Sequence, residues 1–183
     1  LIKDCGINFE IYRDQLKVIS KNYPIEIYFL RNGDIPKYLH DGVIDLAIIG
    51  ENTLYEKDYQ FNVLERLGFS KCRVSIAVPN DFKYKEKSDL NNIRIATSYP
   101  NTLKKFLDKE NIKSDLHIIN GSVEISPSMG LADAVCDIVS SGSTLFENNL
   151  VEVIKLLDSE AVLVQSEKVK KEIYDEIKNL TFR

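Results

Sequence analysis

The sequence predicts an α/β protein built as two similar lobes, with its site in the cleft between them. Three observations carry that expectation. Short β-rich runs alternate with helical segments along the chain, the template D-x-x-x-D-apolar-x-x-x-G occurs once in each half, and 183 residues are enough for one large or two small buried cores. The first copy holds Asp41, Asp45, Leu46 and Gly50; the second holds Asp133, Asp137, Ile138 and Gly142. Each reads as helix end, strand, then glycine turn. Coincidence is the alternative, because α/β turns use Asp and Gly routinely.

In chain order, residues 1–6 read as the last turns of a helix with Gly6 as its stop, and since Leu1 is not an initiator methionine, something is expected to precede it. Residues 25–30 (IEIYFL) form a strand, residues 35–40 a short helix with Pro36 in its first turn, and residues 45–49 a second strand. Residues 73–78 (RVSIAV) and 93–97 (IRIAT) are strands, residues 102–109 a helix, and residues 117–119 a short strand. Residues 151–154 and 161–165 are β-rich, and Val169, Ile173, Ile177 and Leu180, spaced four, four and three apart, predict a closing amphipathic helix. The alternation predicts a mostly parallel sheet. The charged residues 80–87 (NDFKYKEK) are the expected surface loop.

Composition narrows the function. Hydrophobic residues are 44% and charged residues 28%, as in ordinary globular proteins, and the net charge of -4 comes with no basic stripe for nucleic acid. Cys5, Cys72 and Cys136 are odd in number, widely spaced, and read as reduced core thiols of a cytosolic protein. No apolar run approaches a membrane span, and no basic-then-apolar signal opens the chain.

The most telling stretch is residues 124–145 (EISPSMGLADAVCDIVSSGSTL), where an apolar run breaks into small hydroxyl residues and one glycine. Ser140, Ser141, Gly142, Ser143 and Thr144 offer hydroxyls and accessible backbone N–H groups, and residues 145–149 a helix N-terminus that favours an anion. Asp137 repels phosphate but can accept hydrogen bonds from sugar hydroxyls, so the pair points to a ligand with phosphate and ribose. An ordinary strand–turn–helix junction is the alternative.

Other candidates leave strand ends, where open α/β sheets bind ligands: Gly50, Glu51 and Asn52 after one strand, Tyr99 and Pro100 after another. Arg31 and Arg73 are cations suited to pyrophosphate, or else solvated or ion-paired arginines. Tyr99 can stack on a purine or sit at a boundary with a wet hydroxyl. Glu124 can order a ligand hydroxyl or a magnesium-bound water, or serve as a capping carboxylate. His40 and His117 stand in no metal-ligand spacing, and G-x-S-x-G, Walker and G-x-G-x-x-G motifs are absent. Acyl transfer, P-loop hydrolysis and hydride transfer lose support.

The same stretch resembles the signature of the ATP phosphoribosyltransferase family, the first enzymes of histidine biosynthesis, with Glu124, Gly130, Ala132, Val135, Asp137, Ile138, Ser141, Gly142, Thr144 and Leu145 at its fixed positions. The likeness extends to Arg31 with residues 34–36, to residues 41–52, 68–73 and 95–100, and to residues 121–124. It implies a two-lobed core similar to type II periplasmic binding proteins, with residues 1–76 and 158–183 as lobe I and 77–157 as lobe II. It implies that Ser140, Ser141, Gly142, Ser143 and Thr144 hold the 5-phosphate of phosphoribosyl pyrophosphate, with Asp137 near the ribose. Arg31, Arg73 and Glu124 become the catalytic positions, the arginines for phosphate charge, and Gly50, Glu51 and Tyr99 the nucleotide-binding ones. The implied reaction is attack of adenine N1 of ATP on the anomeric carbon, expelling magnesium-bound pyrophosphate. It needs no covalent nucleophile, since alignment alone can supply about 7–11 kcal/mol.

The resemblance further implies Mg²⁺ carried by substrate phosphates, with no protein metal cage, a homo-oligomer, a regulatory subunit or a C-terminal regulatory domain beyond this chain, and a cytoplasmic location. Two departures stand out. The chain starts after the family's first strand, so the natural protein is expected to be longer, or this piece weakly active; and Ser143 stands where the family commonly has Arg or Ala. Two other classes stay open: a two-lobed anionic-metabolite binding module, and a type I phosphoribosyltransferase acting on another base.

Overall fold

The computed structural model describes residues 2–168. The expected closing helix at Val169, Ile173, Ile177 and Leu180 lies outside them. The described chain divides into two compact units, one of residues 2–47, 61–64 and 164–168 and the other of residues 48–60 and 65–163. These bounds differ from the expected 1–76/158–183 and 77–157. The cause is strand pairing: Cys72 is already opposite Ser159, so both ends of that pairing belong to the second unit's sheet.

Unit 1 opens with turns rather than the expected helix, Gly6 donating to the Lys3 carbonyl at 3.0 Å. Strand β1 (Lys17–Ile19) then pairs antiparallel with β2 (Glu26–Tyr28), a shorter strand than the sequence predicts. Helix α1 (Ile35–Asp41) carries Pro36 in its first turn, as expected, and stops at Gly42 with φ 73°. Gly42 donates to Leu39 and Val43 to Tyr38, a glycine stop that satisfies the last carbonyls. Leu39 is fully buried, and the buried Ser166 donates its hydroxyl to the Leu39 carbonyl at 2.7 Å.

Strand β3 (Leu46–Gly50) leads into α2 (Glu51–Lys57), and β4 (Asn62–Arg66) into β5 (Cys72–Pro79). Then come β6 (Arg94–Thr97), α3 (Pro100–Glu110), β7 (Asp115–Ile118), a 3-10 turn (Val123–Ile125), β8 (Ala134–Val139), α4 (Ser143–Glu147), β9 (Leu150–Ser159) and β10 (Ala161–Gln165). Strands β3, β10 and β4 form one sheet in that order; unit 2 is organised on a five-stranded sheet in the order β7-β6-β8-β5-β9. That sheet is mixed, not mostly parallel. Strands β7, β6 and β8 run parallel, while β5 is antiparallel to both neighbours, β8 and β9. Hydrophobic patterning reports that a segment is a strand, not which way it runs.

Each face of this sheet has its own core. Val74, Ile76, Val78, Ile95, Ala134 and Cys136 face Leu103 and Leu107 of α3. Phe82 and Tyr84, from the expected loop, tuck against that core while their charged neighbours stay exposed. The other face joins Ala77, Ala96, Val135 and Val139 to Val123, Leu145 and Leu150. Period-two alternation makes Arg73 and Ser75 share Ala77's face, so a polar row enters an otherwise apolar layer. Cys136 is fully buried, its thiol pushed up to about 12 by burial, and all three cysteines are free. Among the described residues, no helix is long and apolar enough to cross a membrane.

Candidate functional site

The polar row opens into a pocket of about 120 Å³ inside unit 2, lined by Ser75, Glu124, Asp137, Ile138, residues 140–142, Thr144 and their apolar neighbours. It is smaller than the roughly 300–1,000 Å³ clefts that enclose drug-sized ligands, so it fits one end of a larger molecule.

Asp137 sits near the end of β8, directly opposite Ser75 of β5. Its Oδ1 accepts hydrogen bonds from the Ser98 hydroxyl at 2.7 Å and from the Ile138 N–H at 2.8 Å. Among the described residues no hydrogen bond is made to Oδ2. Burial holds this carboxyl above its ordinary value, the two donors oppose the rise, and the nearby Glu124 charge adds to it. Glu124, in the 3-10 turn, lines the same pocket, and among the described residues its carboxylate has no hydrogen bond or ion pair.

Beyond β8 the chain turns through Ser140, Ser141 and Gly142 into α4. Gly142 has φ 87°, a left-handed conformation that side-chain-bearing residues adopt at a cost. The Ser141 and Ser143 hydroxyls are 2.9 Å apart, and the Ser143 N–H donates to Ser141 Oγ at 3.3 Å. Among the described residues, the N–H groups of Ser141, Gly142 and Thr144 make no hydrogen bond. Helix α4 starts at Ser143, not at residue 145 as the sequence predicts, and has five residues, so little macrodipole accumulates. The anion-binding capacity lies in the loop's own N–H and O–H donors.

Arg73 stands under this loop. Its Nε and Nη2 donate to the Glu152 carboxylate at 2.7 and 2.5 Å, and its Nη1 donates to the Ser140 carbonyl at 3.1 Å. Ser75 Oγ also donates to Glu152, at 2.8 Å. The expected phosphate cation is therefore tied to a carboxylate and to the loop's backbone.

The remaining candidates are placed elsewhere. Gly50 caps α2 with φ -72°, a conformation open to any residue. The Glu51 carboxylate pairs with Arg66 at 2.5 and 2.9 Å. Tyr99 is not an open stacking platform: its ring packs against the α3-side core and its hydroxyl accepts from Asn52 at 2.7 Å. Burial pushes its pKa up to about 12. Arg31 is exposed in unit 1, past β2. His40 is exposed and His117 is in β7; among the described residues no group of three or more His, Cys, Asp or Glu could hold a metal.

The duplicated template is partly structural. In both copies a strand ends near a glycine that caps a short helix, Gly50 for α2 and Gly142 for α4. The first copy begins at a helix end, Asp41, but Asp133 instead follows turns and is gripped by Arg94 at 2.8 and 3.1 Å. Three residues of the site escaped the sequence reading: Ser75, Ser98 and Glu152. A lone Glu inside the apolar run 151–154 was the available signal for the last.

The arrangement can hold a phosphate on the loop and a hydroxyl-bearing group on Asp137 and Glu124. Comparisons with known proteins place the chain in a family. The family model described as ATP phosphoribosyltransferase (HisG) matches residues 31–183. The chain is 51% identical over 180 residues to the ATP phosphoribosyltransferase of Cytophaga hutchinsonii, across 97% of this chain and 63% of that protein. With the Bacteroides thetaiotaomicron relative at 65%, it spans just under two thirds of the length of the curated relatives it matches. Among solved structures, it resembles an ATP phosphoribosyl transferase (HisG:HisZ) complex from Thermotoga maritima, with TM-score 0.83, 25% identity, and 99% of this chain and 89% of that chain covered. The periplasmic aliphatic sulphonate binding protein SsuA of Escherichia coli, at TM-score 0.58 and 12% identity over 83% of this chain and 57% of that one, shares the fold alone. The α/β architecture similar to periplasmic binding proteins is thus borne out.

Proposed function

The chain belongs to the ATP phosphoribosyltransferase family, and we propose that it carries the site at which ATP and phosphoribosyl pyrophosphate become N1-(5-phosphoribosyl)-ATP and pyrophosphate, the first step of L-histidine biosynthesis. The supporting observation is that Ser140, Ser141, Gly142 and Thr144, with their N–H and hydroxyl donors, and Asp137 line one pocket.

In this reading Ser140, Ser141, Gly142, Ser143 and Thr144 receive the 5-phosphate, and Asp137 accepts hydrogen bonds from the ribose hydroxyls through Oδ2. Glu124 faces the same sugar from the 3-10 turn. A bond forms from adenine N1 to the anomeric carbon as the bond to pyrophosphate breaks, and pyrophosphate leaves with the electron pair. The protein's part is alignment and charge placement. Arg31 is assigned to phosphate charge, and Arg73 acts through the loop it holds. Gly50, Glu51 and Tyr99 are assigned to the nucleotide, the last two through the frame they make with Arg66 and Asn52.

The donor set fits a magnesium ion held mainly by substrate phosphates: Glu124 and Asp137 offer carboxylate oxygens at the pocket, and among the described residues no fuller ligand group exists. When bound, such an ion neutralises the leaving pyrophosphate. Further copies of the chain, a regulatory subunit or domain, and a cytoplasmic location complete the proposal.

The test is to incubate the protein with ATP, phosphoribosyl pyrophosphate and magnesium and to look for phosphoribosyl-ATP. Product supports the proposal. Tight phosphoribosyl pyrophosphate binding without product favours transfer to another base, and binding of neither substrate favours an anionic-metabolite module.

A further inference from the structure

Strand β9 reaches Glu152 by an irregular route. Continuing the register set by Cys72 and Ser159 would put Ile154 opposite Ala77, but two bulges in the pairing put Glu152 there instead. Paired residues share a sheet face, so Glu152 lies in the layer of Ala77, Val135 and Val139, and the two bulges bring it from opposite Pro79 to opposite Ala77, toward Ser75, Arg73 and the pocket. There it takes two donors from Arg73 and one from Ser75, which is 1% exposed and lines the pocket. Arg73 directs a third donor, Nη1, to the Ser140 carbonyl, the first residue of the loop.

We propose that Glu152 is a positioning residue for the loop 140–144: it fixes the Arg73 guanidinium, which fixes the Ser140 carbonyl, which orients the donors of Ser141, Gly142 and Thr144 at the pocket. The inference rests on the phosphate-binding role proposed for that loop. Because Glu152 cancels the Arg73 charge, Arg73 contributes geometry, and the planar fork is essential: it spans two carboxylate oxygens and a carbonyl at once, which a lysine ammonium on a flexible stem cannot match.

The experiment uses Glu152→Gln, Glu152→Ala and Arg73→Lys in the whole chain. Backbone ¹⁵N relaxation reads the loop without any ligand. Order parameters for residues 141–144 are expected near 0.85 in the parent and below about 0.6 in Glu152→Ala and Arg73→Lys, with β5 and β8 unchanged. Phosphoribosyl pyrophosphate affinity is expected to fall about tenfold or more in both, with ATP affinity within about twofold, and Glu152→Gln, which keeps one acceptor oxygen for Ser75 and Arg73 Nε and loses the one for Nη2, to fall between. Unchanged order parameters overturn the proposal whatever the affinities do. Loosening of the loop with full phosphoribosyl pyrophosphate affinity also overturns it. A parent protein that binds no phosphoribosyl pyrophosphate sinks the functional reading, while the relaxation data still decide whether Glu152 positions the loop.

Discussion

Ser98 donates its hydroxyl to Oδ1 of Asp137 at 2.7 Å, and the Ile138 N–H donates to the same oxygen at 2.8 Å. One side of the carboxylate is thus anchored to the protein and the other left for ligand. Asp137→Asn keeps the anchored carbonyl oxygen and loses the charged one. We expect at least a tenfold loss of phosphoribosyl pyrophosphate affinity, since a hydrogen bond to a charged group is worth about 1.5–3 kcal/mol. Calorimetric titration measures it.

The stability change should have the opposite sign. Burial raises the Asp137 carboxyl from its ordinary 3.8, so between that value and the raised one the folded state holds a proton that the unfolded state has lost. Stability from this group is present at low pH and declines as pH rises through the folded value. Asp137→Asn should therefore melt higher than the parent at pH 7, with the gain vanishing near pH 3.8. Ser98→Ala, which removes a donor that opposes the rise, should move the transition to higher pH. Thermal melts across pH 3–8 check both.

The Arg73 hydrogen bond lowers the Glu152 carboxyl from its ordinary 4.5, and here the sign reverses. The stabilisation is present above 4.5 and lost as pH falls through the depressed folded value. In acid melts Glu152→Gln should lack this part of the parent's pH dependence.

Gly142 and Gly130 both have positive φ, 87° and 71°, and a Cβ at either meets nothing within 4 Å. Alanine at each should cost about 1 kcal/mol of conformational strain, measured by urea unfolding. Only Gly142→Ala should also weaken phosphoribosyl pyrophosphate binding, because only Gly142 sets the loop that lines the pocket.

Glu56 of α2, 7% exposed, accepts from the N–H groups of Asn101 and Thr102 and from the Thr102 hydroxyl, at 2.9, 2.9 and 2.7 Å. It caps α3 from a distant segment. Glu56→Ala strands those donors, of which the two from Thr102 are buried, and should cost about 2–4 kcal/mol, with Glu56→Gln costing less. Chemical denaturation reads the difference.

The same residues explain what could be read in the sequence. Strands β6, β8 and β10 and helix α3 were legible because, apart from Thr97 and Thr102, their buried positions are apolar. Helix α2 was not: beside Leu54 its buried residues are Asn52, Thr53 and Glu56, so its inward face carries no hydrophobic period. Strand β4 is mostly exposed, and β1 has three residues. The loop 140–144 with Asp137 was legible because its residue types are those its chemistry needs. Glu152 and Ser75 were not, since their convergence depends on the direction of β5 and on two bulges in β9.

On this account the loop of unit 2 binds the phosphate of phosphoribosyl pyrophosphate. Titrating that ligand with magnesium into the parent and into Thr144→Ala tests it most directly. Binding by the parent, weakened about tenfold or more in the variant with the melting temperature nearly unchanged, is the expected result. Equal affinity in both proteins would contradict it.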